Sequence, residues 1–430
     1  MYINDLAIEN FRTFRHAKID FVHAQTDFAV LKMPVPKLPN VNLLLGNNGS
    51  GKTTVLKAIA LSALGPAVSD SGIFPDRLAR REPPVPGKVS LAREAKLHGH
   101  FTLHPQDLGA EMKGPAKALR LAGGPLESAV SVFRKADLEQ LRWLSSEETK
   151  ARDKEWEGIF SSRSDAFFFV GYGATRHVER PEKADTALRE RRVFARALRV
   201  MSLFEEDYSL VPLNAWLPAW KKANPGRYTQ VVHLLDRLIG GERYSFTGET
   251  EGADYLFERG GLKIPFRALS DGYRAYLGWI CDLLYHVCIT CPKGRKLVEN
   301  CGIVMVDEID LHLHPKWQMT VLPTLARALP NIQFIVTSHS PLIVGSLEWM
   351  NIVLVQPGAR QSSTAERIEW GVHGLDADQV LLTDFFGMES TRAPGKKRTL
   401  KTLALKAREG DQNAARDLLD AMSRGLEEPV

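Results

Sequence analysis

Cysteine is scarce: the chain has four in 430 residues. That number cannot staple a protein of this length, and nothing else in the sequence points to export, so the thiols read as reduced in a cytoplasmic protein. Long apolar runs are missing too, and none approaches the roughly 20 residues that cross a bilayer. The opening Met1-Tyr2-Ile3-Asn4-Asp5 has neither a basic n-region nor an apolar h-region, which argues against a secretory signal. There is no internal repeat and no sustained heptad array, which excludes a long coiled-coil arm. Nor does one sign of charge dominate. Against 51 acidic residues stand 56 basic ones, and the net charge of +5 permits nucleic-acid binding without indicating it. What remains, 44% hydrophobic and 25% charged, is the composition of a soluble globular protein with a core sufficient for one large or two medium domains.

The N-terminal residues alternate as strands do over 2–9 and 17–21, with a turn between them. A proline-rich loop fills 30–40. A third strand, Val41–Leu45, then runs into Gly46-Asn47-Asn48-Gly49-Ser50-Gly51-Lys52-Thr53. This fits G-x-x-x-x-G-K-[ST], and a helix follows with Val55, Leu56, Ile59 and Ala63 on one side. The glycines let backbone N–H groups turn inward around phosphate oxygens, and the helix N-terminus adds its partial positive charge. Lys52 is placed to reach the β- and γ-phosphates of ATP and Thr53 to ligate Mg²⁺; Asn47, Asn48, Gly49, Ser50, Gly51 and Thr54 complete the nucleotide-binding set. A chance glycine-rich turn is the competing reading, and the correct flanking strand and helix weigh against it.

Three further motifs follow. Ile303-Val304-Met305-Val306 is an apolar strand ending in Asp307-Glu308. Asp307 can hold the magnesium as a Walker-B aspartate does, and Glu308 can orient or deprotonate the attacking water. Thr337-Ser338-His339-Ser340-Pro341 ends another apolar strand, so that His339 can contact a γ-phosphate; a lone histidine is more often structural. Leu269-Ser270-Asp271-Gly272 opens a helix whose first N–H groups would make a second phosphate site, although Ser-Asp-Gly by itself is only a turn and cap.

Order and spacing join these motifs. Asp307 lies about 35 residues after Gly272, and His339 about 30 beyond that. The constellation resembles the heads of ABC-type ATPases, a group that includes SMC proteins, RecF and the overcoming-lysogenization-defect (OLD) proteins. The resemblance implies that Leu269, Ser270, Asp271 and Gly272 are the signature motif and His339 the switch histidine, and that Asp310 falls in the D-loop. It also implies that each signature faces the γ-phosphate held by another subunit, burying two ATPs between two heads. The strings DEIDLHLHP and TSHSP are similar to the OLD and AAA-type subgroup rather than to transporters, and Ile8-Glu9-Asn10-Phe11-Arg12 is similar to the RecF-like N-terminus, which would bring Arg12 toward the nucleotide. The family's Q-loop glutamine has no match; Gly171-Tyr172-Gly173-Ala174-Thr175-Arg176 occupies that place without one.

Weaker features have bland readings. Cys288-Ile289-Thr290-Cys291, near Cys281, His286 and Cys301, invites a zinc site, but a second ligand pair is missing and Cys281 and Cys288 lie along an apolar helix. His312 and His314 read as structural. Asp376-Ala377-Asp378 resembles the acidic pair of a Toprim nuclease, yet too few residues follow His339 for a packed domain of about 100 residues. The basic clusters Arg189, Arg191, Arg192, Arg196, Arg199 and Lys396, Lys397, Arg398, Lys401, Lys406 are ordinarily solvated faces; DNA contact is the sharper reading.

The expected fold class is α/β: an ABC-type P-loop ATPase head with a mixed or parallel sheet and an inserted α+β or helical region. Residues 1–65 and 160–385 are expected to form the head, with a signature-helix lobe at about 180–300. Residues 66–160 read as an insertion or arm, helical over 136–160, and 386–430 as a basic helical tail. The expected function is that of an ATPase that dimerises, or forms a higher oligomer, around ATP and acts as a nucleotide-driven switch. It would work on DNA with a separate nuclease or toxin effector, as the ATPase half of two-gene antiphage systems such as Septu does. The alternatives are a RecF-like DNA repair ATPase and a non-hydrolysing, ATP-dependent scaffold.

Overall fold

The computed structural model describes residues 1–85, 88–104, 107, 126–135, 138–144, 156, 168–178, 195–239, 244–291, 294–358, 362–369, 371–388, 390–391 and 394–424. The chain divides into two compact units, Met1–Gly374 and Leu375–Val430.

The first unit is built on two sheets. One is antiparallel and runs in the order Phe14–Asp20, Tyr2–Phe11, Glu94–Thr102, Leu126–Lys135, Leu138–Trp143. Residues 138–143 are thus a strand and not part of a charged helix. Register explains the difference: Val132 pairs with Leu141 and Val130 with Trp143, so alternate side chains of this edge strand pack on the core, with the Glu139 carboxylate on that face accepting from Leu78 N and Ala79 N, while Gln140 and Arg142 are exposed on the other. The rest of 136–160 lies outside the described residues apart from Leu144 and Trp156, whose buried indole stacks edge-on against Phe101 and Trp143.

The second sheet runs in the order Ser363–Glu366, Ile352–Pro357, Val41–Leu45, Ile332–Ser338, Gly302–Val306, Phe169–Tyr172. Every pairing is parallel except that of Ser363–Glu366. The strands that carry the motifs are buried along their whole length, as the continuous apolar runs at Gly302–Val306 and Ile332–Ser338 require of a sheet covered on both faces. Parallel register therefore sets the carboxyl ends of Val41–Leu45, Gly302–Val306 and Ile332–Ser338 side by side, which is where ligands bind in open α/β sheets.

The helix Lys52–Leu64 lies between the two sheets. Only Thr53 and Lys57 of its residues escape burial, so the one-sided apolar pattern understates its environment. Its core partners come from both layers: Leu6, Ile8, Leu97 and Val130 on one side, Ile303, Met305, Ile335 and Val353 on the other. Ala58, Ala60 and Ser62 fill the positions between the large residues, and Ser128 Oγ donates to Ser62 O at 2.7 Å. Burying Val55, Leu56, Ile59, Leu61 and Leu64 contributes about 1.5–3 kcal/mol each, which fixes the helix N-terminus in place.

A lobe follows, with helices Leu213–Ala223, Pro225–Ile239 and Asp271–Thr290 and the antiparallel strands Ser245–Glu251, Asp254–Arg259 and Leu262–Pro265. Of the first basic cluster, Arg196 lies on the short helix Ala195–Leu198, which a 3-10 turn at Met201–Leu203 follows; Arg189, Arg191 and Arg192 lie outside the described residues. Between the strands Gly302–Val306 and Ile332–Ser338 lie two short helices, Pro315–Gln318 and Val321–Ala328.

Asp282, buried in the helix Asp271–Thr290, ties the lobe to the second sheet. It accepts from Tyr172 Oη at 2.8 Å and Val211 N at 2.7 Å and faces His286 Nε2 at 3.3 Å. Burial alone would raise its pKa; His286 and the two donors outweigh that and hold it below the usual carboxylate range. A group with a depressed folded pKa contributes stability that is present above its unfolded pKa of about 3.9 and is lost as pH falls through the folded value. Asp282→Ala is therefore expected to cost about 3–5 kcal/mol at pH 7. Urea melts of both proteins should show the gap narrowing below about pH 4. A gap that stays constant with pH, or one under about 1 kcal/mol, would refute this account.

The second unit contains the helices Ala377–Leu381, Pro394–Arg408 and Gln412–Arg424. Asp376 and Gln379 form a capping box on the first of these, so this carboxylate has a local structural task. The side chains of Lys396, Lys397 and Arg398 lie outside the described residues.

Candidate functional site

The loop between Val41–Leu45 and the helix Lys52–Leu64 is shaped by its glycines. A Cβ on Gly46 would run into Val355 O, and Gly51, with φ of 111°, would set one 2.5 Å from Thr13 Oγ1 and 2.8 Å from Phe14 Cε2. Any side chain at either position displaces the loop. Lys52 curls back over it: Nζ donates to Gly46 O at 2.9 Å, to Asn47 O at 3.1 Å and to His339 Nε2 at 2.8 Å. An ammonium only donates, so His339 Nε2 accepts and the imidazole is neutral with its proton on Nδ1. The electrostatics agree. Burial lowers the His339 pKa and Lys52 lowers it further, against the pull of Asp310, Glu308 and Asp307. Burial also lowers the Lys52 pKa, outweighing the same three carboxylates.

The acidic turn sits beside this loop. Thr53 Oγ1 donates to Asp307 Oδ2 at 2.7 Å, and Thr337 Oγ1 donates to Asp307 Oδ1 at 2.6 Å. Thr337 Oγ1 also accepts from Glu308 N at 2.7 Å, and Asp307 N donates to Tyr172 O at 2.8 Å. Glu308 has φ of 46°, a left-handed conformation that costs a residue with a side chain about 1–3 kcal/mol. Its main chain is held from both sides, by Thr337 at the N–H and by Arg176 Nη2, which donates to Glu308 O at 2.8 Å. Each such bond contributes about 0.5–3 kcal/mol, enough together to hold the strained turn.

Three separate segments are thus brought together, Lys52 and Thr53, Asp307 and Glu308, and His339, while the Phe11–Phe14 corner that carries Arg12 abuts the glycine loop only through Thr13 and Phe14 at Gly51. Arg12 also has positive φ, 47°, and its N–H donates to Leu78 O at 2.8 Å. Burial lowers its pKa against the fields of Asp76 and Glu139. Leu269 to Gly272, the residues expected to form a signature motif, stand apart from this group. Leu269 is buried; Ser270 stands at the N-cap position of the helix Asp271–Thr290 without a capping bond from its side chain, and the exposed Asp271 pairs with Arg274. Among the described residues no hydrogen bond joins 269–272 to the glycine loop. Gly272 instead abuts the turn of its own chain, with a Cβ position 2.9 Å from His312 O. His314 caps the helix Pro315–Gln318 through Lys316 N, a structural role.

Thr337 and Arg176 are site residues that motif reading passes over. Thr337 lies within a quoted motif, but its role depends on strand register. Arg176 follows a strand end and matches no pattern.

The site's chemistry fits a magnesium-bound nucleotide. Thr53 and Asp307 are the hydroxyl and carboxylate that could share a hard cation, and Lys52 supplies the phosphate-facing charge. Ser50 Oγ and Asp310 Oδ1 are buried without a hydrogen-bond partner, polar capacity that a phosphate, a cation or its waters would use. Cys281, Cys288, Cys291 and Cys301 are all buried and none is in a disulfide, and among the described residues no cluster of three or more His, Cys, Asp or Glu could hold a metal ion by itself. No helix among the described residues is long and apolar enough to cross a membrane.

A family model described as “AAA domain, putative AbiEii toxin, Type IV TA system” matches residues 117–345, and one described as “AAA domain” matches residues 5–91. The chain is 24% identical to the “Retron Ec83 probable ATPase” of Escherichia coli over 430 aligned residues, covering 88% of this chain and 75% of that protein. It is 23% identical to the “Septu protein PtuA” of Bacillus mycoides (strain KBAB4), covering 91% of this chain and 45% of that one. Among solved structures, a SMC head bound to the C-terminal winged-helix domain of ScpA aligns with 86% of this chain and 98% of its own, at 15% identity and a TM-score of 0.46.

Proposed function

Because the chain belongs to the AAA domain family whose model spans residues 117–345, we propose that it is an ATPase that binds Mg-ATP at residues 46–54 and hydrolyses it, serving as the nucleotide-driven switch of an antiphage defence system. The observation that carries the reading is the convergence of Lys52 on His339 at 2.8 Å and of Thr53 on Asp307 at 2.7 Å, joining segments 287 and 254 positions apart in sequence. The similarity to a retron ATPase and to Septu PtuA supports the defence role.

In this reading the backbone N–H groups of 47–51 and the helix N-terminus cradle the phosphates. Lys52 exchanges contacts with its own loop for phosphate oxygens. Thr53 and Asp307 hold the magnesium, which neutralises phosphate charge. Glu308 orients the attacking water and takes its proton, and the neutral His339 donates from Nδ1 or accepts at Nε2 near the γ-phosphate. Leu269 to Gly272 lie outside this chain's phosphate-binding group, which suits a signature that closes on the ATP of a second copy. DNA is the proposed substrate surface and a separate nuclease or toxin the proposed effector.

The test is phosphate release by the purified chain with Mg²⁺, with EDTA, and with added duplex DNA, followed by sizing in ATP. We expect turnover that EDTA abolishes, and a dimer or larger species in ATP. Stimulation by DNA would support action on nucleic acid. If ATP binds and assembles the chain with no turnover under any condition, the scaffold reading replaces the enzyme.

A further inference from the structure

One short segment, residues 172–176, touches both the nucleotide site and the helix that carries Leu269 to Gly272. Tyr172 touches both: its carbonyl accepts from Asp307 N at 2.8 Å, while its hydroxyl donates to Asp282 on the helix Asp271–Thr290. Its ring lies 5.6 Å from Trp279 of that helix. Arg176 touches both as well. Nη2 donates to Glu308 O at 2.8 Å, and the guanidinium carbon lies 6.0 Å from the centre of the Trp279 ring.

We propose that Arg176 is a positioning residue that couples the Asp307–Glu308 turn to the signature helix, doing in this chain what no glutamine is present to do. The inference rests on the reading of the site as an ATPase. Three observations carry it. First, Arg176 grips the main chain of Glu308, whose left-handed backbone aims the carboxylate, so a small rotation of the guanidinium re-aims the group that faces water. Second, the guanidinium sits in the combined field of Asp307, Asp310 and Glu308, the charges that a magnesium-bound phosphate would change; burial is strong enough to lower its pKa to about 10 despite them. Third, Arg176 has φ of 36°, a backbone held away from its resting region. A cation placed only to stabilise the fold would need contact with neither a strained catalytic turn nor the helix behind it.

The experiment compares wild type, Arg176→Ala and Arg176→Lys by ATP affinity, turnover and deuterium exchange of residues 271–290 with and without Mg-ATP. For Arg176→Ala we expect ATP affinity within about threefold of wild type, turnover lower by roughly tenfold or more, and loss of the ATP-dependent change in exchange. Arg176→Lys keeps the charge but not the planar fork, and should fall between. The proposal is overturned if Arg176→Ala turns over within twofold of wild type, if the exchange change persists in it, or if affinity falls as much as turnover does. Should the alanine variant not fold, the lysine variant decides by the same criteria. A wild type that binds ATP without hydrolysing it refutes the hydrolysis reading alone, and the exchange comparison then still decides the role of Arg176.

Discussion

Glu308→Gln is expected to lower ATP turnover by about 10²–10⁴-fold while leaving ATP affinity within a few-fold of wild type. The separation follows from how the residue is held. The structure fixes its main chain, with the N–H on Thr337 Oγ1 and the carbonyl on Arg176, and leaves the side chain half-exposed. Glutamine is isosteric and keeps both backbone contacts, so the turn and the fold should survive. It cannot accept a proton from water, so the chemical step should not. In a composite site the stalled variant should also accumulate ATP-held dimers, because release depends on hydrolysis. The measurement is steady-state phosphate release beside sizing in ATP. Turnover within threefold of wild type would remove Glu308 from the chemistry and leave Asp310, whose buried Oδ1 has no partner, as the next carboxylate to test.

How much of this could be read from the chain depended on how local each signal was. The glycine loop, the Asp307-Glu308 pair and His339 were legible because each motif closes within a few residues and sits at the end of an apolar strand. Parallel pairing of those strands then delivers them to one edge. Thr337 was hidden, since a threonine in a strand is unremarkable until register sets it between Asp307 and Glu308. Arg176 was legible only as part of the segment 171–176 that lacks a glutamine; its contact with Glu308 O depends on the strand Phe169–Tyr172 pairing beside Gly302–Val306, which no local motif announces. The strand at 138–143 was misread because Glu139 and Arg142, three positions apart, mimic one face of a solvated helix until Leu141 and Trp143 are seen to share a face. The helix Lys52–Leu64 was read as half-buried because its small residues look neutral. In the fold they are what lets a second sheet approach.

Lys52→Ala should cost ATP affinity about 10²–10³-fold, the other large effect we expect. A charge-assisted hydrogen bond contributes about 1.5–3 kcal/mol, and this ammonium has three donors in a buried setting where its attraction to phosphate is weakly screened. The substitution also acts on the loop itself. Lys52 Nζ bridges Gly46 O and Asn47 O, so removing it leaves two carbonyls of a tight turn without their donor and His339 Nε2 without its partner. Freed of the lysine's positive charge, His339 should titrate at higher pH than in wild type, because Lys52 is the second-largest cause of its lowered pKa after burial. Two measurements check this. Titration with a fluorescent ATP analogue should show the loss of affinity, and the imidazole proton resonances should show the upward shift of His339. Affinity within threefold of wild type would mean that the backbone cradle holds the phosphates without the lysine. An unmoved His339 would mean that burial alone keeps the imidazole neutral and that the lysine contact is incidental to its protonation.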